Sequence, residues 1–235
     1  MKILNININD FGGPENHRED FKNKLGNGKY IQEWDKLDKK ETINSFISKI
    51  DEYKPDIIII QEYDINSTEC QYIFVPLMRK KGYILKSVLP TPRASMTVFF
   101  VKNGLRYKPI LTEHRRNGRA YAIQVNDLVI YGTHVPPSGN VESFWKEINN
   151  FVQRFKNNKL LLIGDFNTVN FKNNKALDNL LENPIHKIHK IWSHEGCNIP
   201  GDYVLANFDI NQDRIDYFPT KTITDHEFGV VITTD

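Results

Sequence analysis

Apolar positions fall in short blocks whose period changes along the chain. Lys2 to Ile8 alternates, with Ile3, Asn5 and Asn7 on one side and Leu4, Ile6 and Ile8 on the other, which predicts a strand. Asp10 to Lys36 is polar and rich in glycine, and predicts a long loop of the kind that often carries function. Ile43, Phe46, Ile47 and Ile50 recur at helical spacing, so a helix is predicted over Lys39 to Tyr53, stopped by Pro55. The run Asp56 to Gln61 is too short for a helix and predicts a buried strand. A helix over Tyr72 to Lys81 is followed by predicted strands at Met96–Lys102, Tyr121–Val125 and Leu128–Thr133. Val141, Phe144, Trp145, Ile148, Phe151, Val152 and Phe155 mark a second long helix, Val141 to Phe155. Leu160–Ile163 predicts another buried strand, and Lys175–Leu181 a short helix. Tyr203–Ala206, Ile215–Phe218 and Phe228–Ile232 predict terminal strands. Strands predominate and helices fall between some of them. This predicts one α/β domain over residues 1–235, with two sheets packed face to face and helices outside.

Composition narrows the class without naming an activity. With 235 residues and 40% hydrophobic content, the chain can bury a sizeable core without disulfides. No apolar run approaches the ~20 residues of a membrane span, and no secretory signal is visible, so a cytoplasmic location is expected. Cys70 and Cys197 make no metal-ligand pair by spacing. The net charge of +2 hides an asymmetry. Residues 79–119 hold eleven basic residues against Glu113, a local charge of +10 that leaves −8 for the rest. Such a run is either a solvated basic face or a surface for a polyanion.

The chemistry gathers where the predicted strands end. Glu62 follows IIIIQ, His134 follows LVIYGT, Asp165 and Asn167 follow LLLIG, Asp225 and His226 precede FGVVI, and Asn7 lies in the first strand. A carboxylate at the end of a buried strand is costly unless it is paired, hydrogen-bonded or bound to metal. Oxygen donors of this kind suit Mg²⁺ or Mn²⁺ better than Zn²⁺. Taken singly, a Gly-Asp-Phe-Asn is more often an Asx turn than a catalytic element. His17, His114, His186, His189 and His194 lack matching ligand partners, and Trp34, Trp145 and Trp192 read as packing residues.

The ordered set carries more than its parts. NIN at Asn5–Asn7, IIIIQE ending at Glu62, GTHVPPS around His134, LLIGDFN ending at Asn167, GDYVLAN around Asp202 and TDHEFGV around Asp225 resemble the endonuclease/exonuclease/phosphatase superfamily, in its order and over the whole chain. The resemblance implies a four-layer αββα fold that hydrolyses a phosphate ester with Mg²⁺, or alternatively Mn²⁺. It implies that Asn7, Glu62 and Asp225 hold the metal. It makes Asp165 and Asn167 position or deprotonate the nucleophile, His226 contact the phosphate, Asp202 orient His226, and His134 act as general acid. Arg119 resembles a phosphate-contacting arginine, and Arg93 in the basic segment is assigned to the substrate phosphate with it. The segment Arg214-Ile215-Asp216-Tyr217 reads like a second copy of the Asp202 motif, but Asp216 leaves too little chain before Asp225 for a strand and turn, so Asp202 is chosen. The histidine segment looks closer to the pancreatic deoxyribonuclease branch than to the abasic-site enzymes. A monomeric nuclease acting on DNA without marked sequence specificity is therefore expected. The alternatives are a phosphatase or phosphodiesterase acting on a small or lipid phosphoester, and an inactive binding protein.

Overall fold

The computed structural model describes residues 1–11, 39–86, 96–112, 118–193, 201–220, 222–224 and 226–235. Twelve strands among them form two six-stranded sheets. The first contains β1 (Lys2–Asn7), β2 (Ile57–Tyr63), β3 (Tyr83–Lys86), β4 (Met96–Lys102), β11 (Ile215–Pro219) and β12 (Phe228–Thr233), in the order β11-β12-β1-β2-β4-β3. The second contains β5 (Lys108–Ile110), β6 (Ala120–Val125), β7 (Leu128–His134), β8 (Lys159–Asp165), β9 (His189–Ser193) and β10 (Asp202–Ala206), in the order β5-β6-β7-β8-β10-β9. Each sheet is antiparallel except for one central parallel pair, β1 with β2 and β7 with β8.

Parallel neighbours need a crossover, and a helix supplies it in both sheets. Helix α1 (Lys40–Tyr53) links β1 to β2, and α3 (Val141–Phe155) links β7 to β8. The registers Asn7↔Gln61 and His134↔Asp165 bring the carboxyl ends of both pairs to one rim of the sandwich. A shorter helix, α2 (Val75–Lys80), follows a π turn, Cys70–Phe74. Pro76 has no N–H to give, and the Val75 N–H reaches the Cys70 carbonyl across the widened turn. Helix α4 (Phe171–Leu181) starts four residues before the predicted Lys175, because the Asn170 side chain caps it by accepting from the Lys172 N–H at 2.9 Å.

The near-continuous apolar strands are buried on both faces. In β8, Leu161 and Ile163 face the inter-sheet core, while Leu160 and Leu162 pack under α3 with Phe144, Ile148 and Val152. On the far side, Ile43, Phe46 and Ile50 of α1 cover the first sheet. Gly132 lies where the sheets come closest: a Cβ there would sit 2.6 Å from the Phe99 ring. The strands β3, β5 and β9 were not predicted. They are edge strands of three to five residues, partly exposed, and carry too few apolar positions for a periodicity. Among the described residues, no helix is long and apolar enough to cross a membrane.

One buried ion pair ties the end of β1 to α1. Lys39, at the N-cap of α1 and 2% exposed, donates to Asp10 at 2.5 Å. Burial pushes the Asp10 carboxyl up to about 6, and Asp64 and Glu69 add to this while Lys39 opposes it. A carboxyl raised in the fold costs stability above its folded pKa, and the cost is relieved as pH falls through that value. Lys39→Met is therefore expected to lose about 3–5 kcal/mol at about pH 8. Part of that loss should return as pH falls towards about 5 and Asp10 takes up a proton. Urea melts at the two pH values check both the size and the sign.

Candidate active site

The shared rim collects Asn7 from β1, Glu62 from β2, His134 from β7, Asp165 from β8, Asn167 just beyond it, Asp202 from β10 and His226 before β12. Asp225 and Arg93 lie outside the described residues. Backbone irregularities aim several of these side chains. Glu62 has φ +50° where the β2–β4 register shifts between Ile60 and Tyr63, so the local bulge turns its carboxylate towards the rim. Asn167 has φ +49°, a conformation that asparagine tolerates better than most residues. Its N–H donates to Asp165 Oδ1 at 2.8 Å, closing an Asx turn, and its side chain donates to the Val135 carbonyl at 2.7 Å. Gly164, just before Asp165, has φ +141°, and a Cβ there would strike the Thr133 carbonyl at 2.0 Å. A glycine is therefore required where β7 and β8 close on each other.

Asp165 is the hub. Its Oδ2 accepts from the amides of Asn7 and Asn167, each at 3.2 Å. It lies 3.7 Å from His134 Nε2 and 4.0 Å from His226 Nε2. Burial pushes the Asp165 carboxyl up to about 7, and the neighbouring Asp202 adds to the rise. His226 Nδ1 lies 2.6 Å from Asp202 Oδ2. The other carboxylate oxygen of Asp202, Oδ1, is buried with no hydrogen-bond partner among the described residues. Asp216 is exposed in β11, where it accepts from the Tyr217 N–H at 2.8 Å and from the Tyr53 hydroxyl. Thr220 Oγ1 donates to the His226 carbonyl, a contact that no pattern along the chain marks.

Arg119 bears on His134. Its Nη1 lies 3.2 Å from His134 Nδ1 and 3.4 Å from the His134 carbonyl. A guanidinium only donates, so Nδ1 is the acceptor and the imidazole proton resides on Nε2. That Nε2–H faces Glu62 and Asp165, each at 3.7 Å.

Glu62, Asp165 and His226 each present a ligand atom within 4.8 Å of the others, so together they can hold a metal ion. His186 and His189 are not part of this group; His189 pairs with Asp209 at 3.4 Å instead. The amide nitrogen of Asn7 lies between the carboxylates, 3.3 Å from Glu62 and 3.2 Å from Asp165. Its oxygen accepts from the Asn9 N–H at 3.0 Å. Asn7 thus puts a partial positive charge where a cation would relieve the same crowding. The donor set is dominated by oxygen and fits a hard divalent ion.

The described basic residues of segment 79–119 do not form one face at this rim. Lys102 pairs in register with Tyr83, and Lys108 with Gln124, at the end of the sandwich opposite Met96 and Tyr63. Arg79, Lys80 and Lys81 end α2 at that same far side, where Lys81 pairs with Asp51. Of the described members, Arg119 is the one placed against the rim histidine. Trp145 is a packing residue, buried against Phe166, with its Nε1 donating to Asn173.

No family model matches the sequence, and no curated protein matches it. Solved structures do match. An endonuclease/exonuclease/phosphatase family protein from Leptotrichia buccalis is 17% identical with a TM-score of 0.62, covering 100% of this chain and 99% of that one. The human Nocturnin catalytic domain with a bound sulfate anion is 15% identical with a TM-score of 0.59, covering 99% and 92%. A Neisseria 3′ phosphatase, NExo, bound to a product DNA hairpin is 12% identical with a TM-score of 0.60, covering 100% and 99%. The architecture is an α/β sandwich of two sheets with helices outside. It is the fold shared with these three structures, one of them an endonuclease/exonuclease/phosphatase family protein.

Proposed function

We propose that the protein is a divalent-metal-dependent phosphoesterase of this superfamily, most specifically a nuclease that cleaves DNA phosphodiesters by activating water. The observation that carries the proposal is the convergence of Asn7, Glu62, His134, Asp165, Asn167 and the Asp202–His226 pair on one rim. Glu62 and Asp225 would hold Mg²⁺, and Asn7 would join them through its oxygen only with its amide turned over, since its nitrogen faces Glu62 and Asp165 here. The ion would supply neutralisation of charge on the phosphoryl oxygens. Asp165 and Asn167 orient the attacking water, and Asp165 accepts its proton. His226, its tautomer fixed by Asp202, contacts the phosphate. His134, a neutral imidazole accepting from Arg119 at Nδ1, directs its Nε2–H at the leaving oxygen and stabilises its developing charge by hydrogen bonding while solvent supplies the proton, and Arg119 both fixes that tautomer and contacts the phosphate. The Neisseria neighbour, whose structure holds product DNA, supports nucleic acid as the substrate class.

The far-side placement of Lys102 and Lys108 favours a second reading, a phosphatase or phosphodiesterase acting on a small phosphoester that needs no extended basic surface. Incubation with supercoiled plasmid and with a panel of small phosphoesters separates the two. The nuclease reading expects Mg²⁺-dependent nicking that EDTA abolishes and added Mg²⁺ restores. Turnover of small esters with intact plasmid would replace it with the second reading. No turnover of any substrate would overturn both.

A further inference from the structure

The outer helix layer carries a groove of about 530 Å³ between α3 and α4. Both helices begin at the rim, α3 shortly after His134 and α4 shortly after Asn167. The head of the groove is fixed to the site. Asn170 donates to the Pro137 carbonyl at 2.8 Å, and Asn173 donates to the carbonyls of Pro136 and Asn167, each at 3.1 Å. At this head stands Phe171, a helix N1 residue that is 77% exposed. One exposed aromatic side chain is unremarkable by itself. Here it belongs to a cationic lining: Lys146, Lys172 and Lys175 against a single carboxylate, Glu142, which Lys172 meets only loosely at 3.9 Å. Phe171 and Lys175 are four residues apart and share a face of α4.

An aromatic face flanked by lysines, at a helix start hydrogen-bonded to the segments that leave the rim, is what an unpaired nucleotide requires: a surface for the base and charges for the adjoining phosphates. A paired base keeps its face inside the duplex and cannot use the ring. We infer that this groove holds one nucleotide of single-stranded DNA leaving the rim, its base stacked on Phe171 and its flanking phosphates on Lys172 and Lys175. The inference rests on the nuclease reading and adds a grip on the nucleic acid to that of Arg119.

The test is oligothymidylate binding by fluorescence anisotropy in EDTA, which needs no turnover, alongside Mg²⁺-dependent hydrolysis of bis(p-nitrophenyl) phosphate. Phe171→Ala is expected to weaken binding about 5- to 100-fold, and Phe171→Trp to keep it. Lys172→Ala with Lys175→Ala should lower the slope of log K against log salt by about one. Small-ester hydrolysis should stay at wild-type level in all of these. Unchanged binding by Phe171→Ala overturns the inference, as does poly-glutamate binding as tight as oligothymidylate. Parallel loss of small-ester hydrolysis also overturns it, because the ring would then only support the Asn167 turn. Wild-type protein that hydrolyses the small ester but binds no oligonucleotide removes the groove and leaves a phosphoesterase. Phe171-dependent binding without hydrolysis keeps the groove and removes the proposed chemistry.

Discussion

Replacing Asp165 by asparagine is expected to lower Mg²⁺-dependent phosphodiester hydrolysis about 10²- to 10⁴-fold while leaving metal-free stability at or above that of the wild type. The activity loss follows from position, since Asp165 touches Asn7 and Asn167 and lies within 4.0 Å of both rim histidines. Asparagine keeps the shape but cannot take up the water proton. Two terms set the stability. Burial and Asp202 raise the Asp165 carboxyl from 3.8 to about 7, so its ionised form costs the fold on the order of 4 kcal/mol above pH 7 in EDTA. Against this, the new NH₂ must face an existing donor, either the Asn167 N–H or the amides of Asn7 and Asn167, an unmade bond worth roughly 1–3 kcal/mol. The charge term is the larger. The asparagine variant should therefore melt no lower than wild type above pH 7, and its advantage should shrink as pH falls through 7 and the wild-type carboxyl protonates. Thermal melts in EDTA with parallel rate assays check both. A variant that loses activity because it unfolds would make Asp165 a structural residue.

The site was legible because strands buried on both faces have almost no reason to carry polar residues. When IIIIQ ends in Glu62 or LLLIG in Asp165, the change of character marks the rim without any knowledge of pairing. Helix α3 was legible for a similar reason. Its apolar stripe is wide, and Asn140 caps it by accepting from the Ser143 N–H, so the predicted and observed bounds agree. Edge strands β3, β5 and β9 bury too little to leave a pattern. The left-handed backbone of Glu62 is imposed by the bulge against β4, a tertiary cause with no local sequence mark. The described members of the basic segment divide for a geometric reason. A charge count has no direction, whereas antiparallel strands reverse, so neighbours in sequence such as Lys102, Lys108 and Arg119 reach opposite ends of one sandwich. The Asx turn at Asn167 shows that the plain structural reading of Gly-Asp-Phe-Asn and its placement in the site hold together, because the turn is what presents the amide to Asp165.

Asp202→Asn is expected to cut hydrolysis about 10²- to 10⁴-fold, whereas Asp216→Asn changes it by no more than about twofold. Both aspartates precede tyrosine in an apolar strand, and sequence alone left them to be separated by the length of chain before Asp225. Geometry gives them different work. Asp202 pairs in register with Asp165 across β10 and β8, and its Oδ2 lies 2.6 Å from His226 Nδ1. The carboxylate accepts there, so the proton sits on Nδ1 and Nε2 is turned towards Asp165 and the space a phosphate would occupy. An amide in its place can donate as well as accept. It allows the other tautomer and removes the negative charge that stabilises an imidazolium. Asp216 lies on exposed β11 opposite Val231, with the Tyr217 N–H and the Tyr53 hydroxyl as partners and no rim residue among them, so its replacement moves nothing at the rim. Rates for the two variants, with far-UV spectra to confirm that both fold, decide the assignment. Equal losses in the two, or a larger loss in Asp216→Asn, would remove the Asp202–His226 pair from the mechanism.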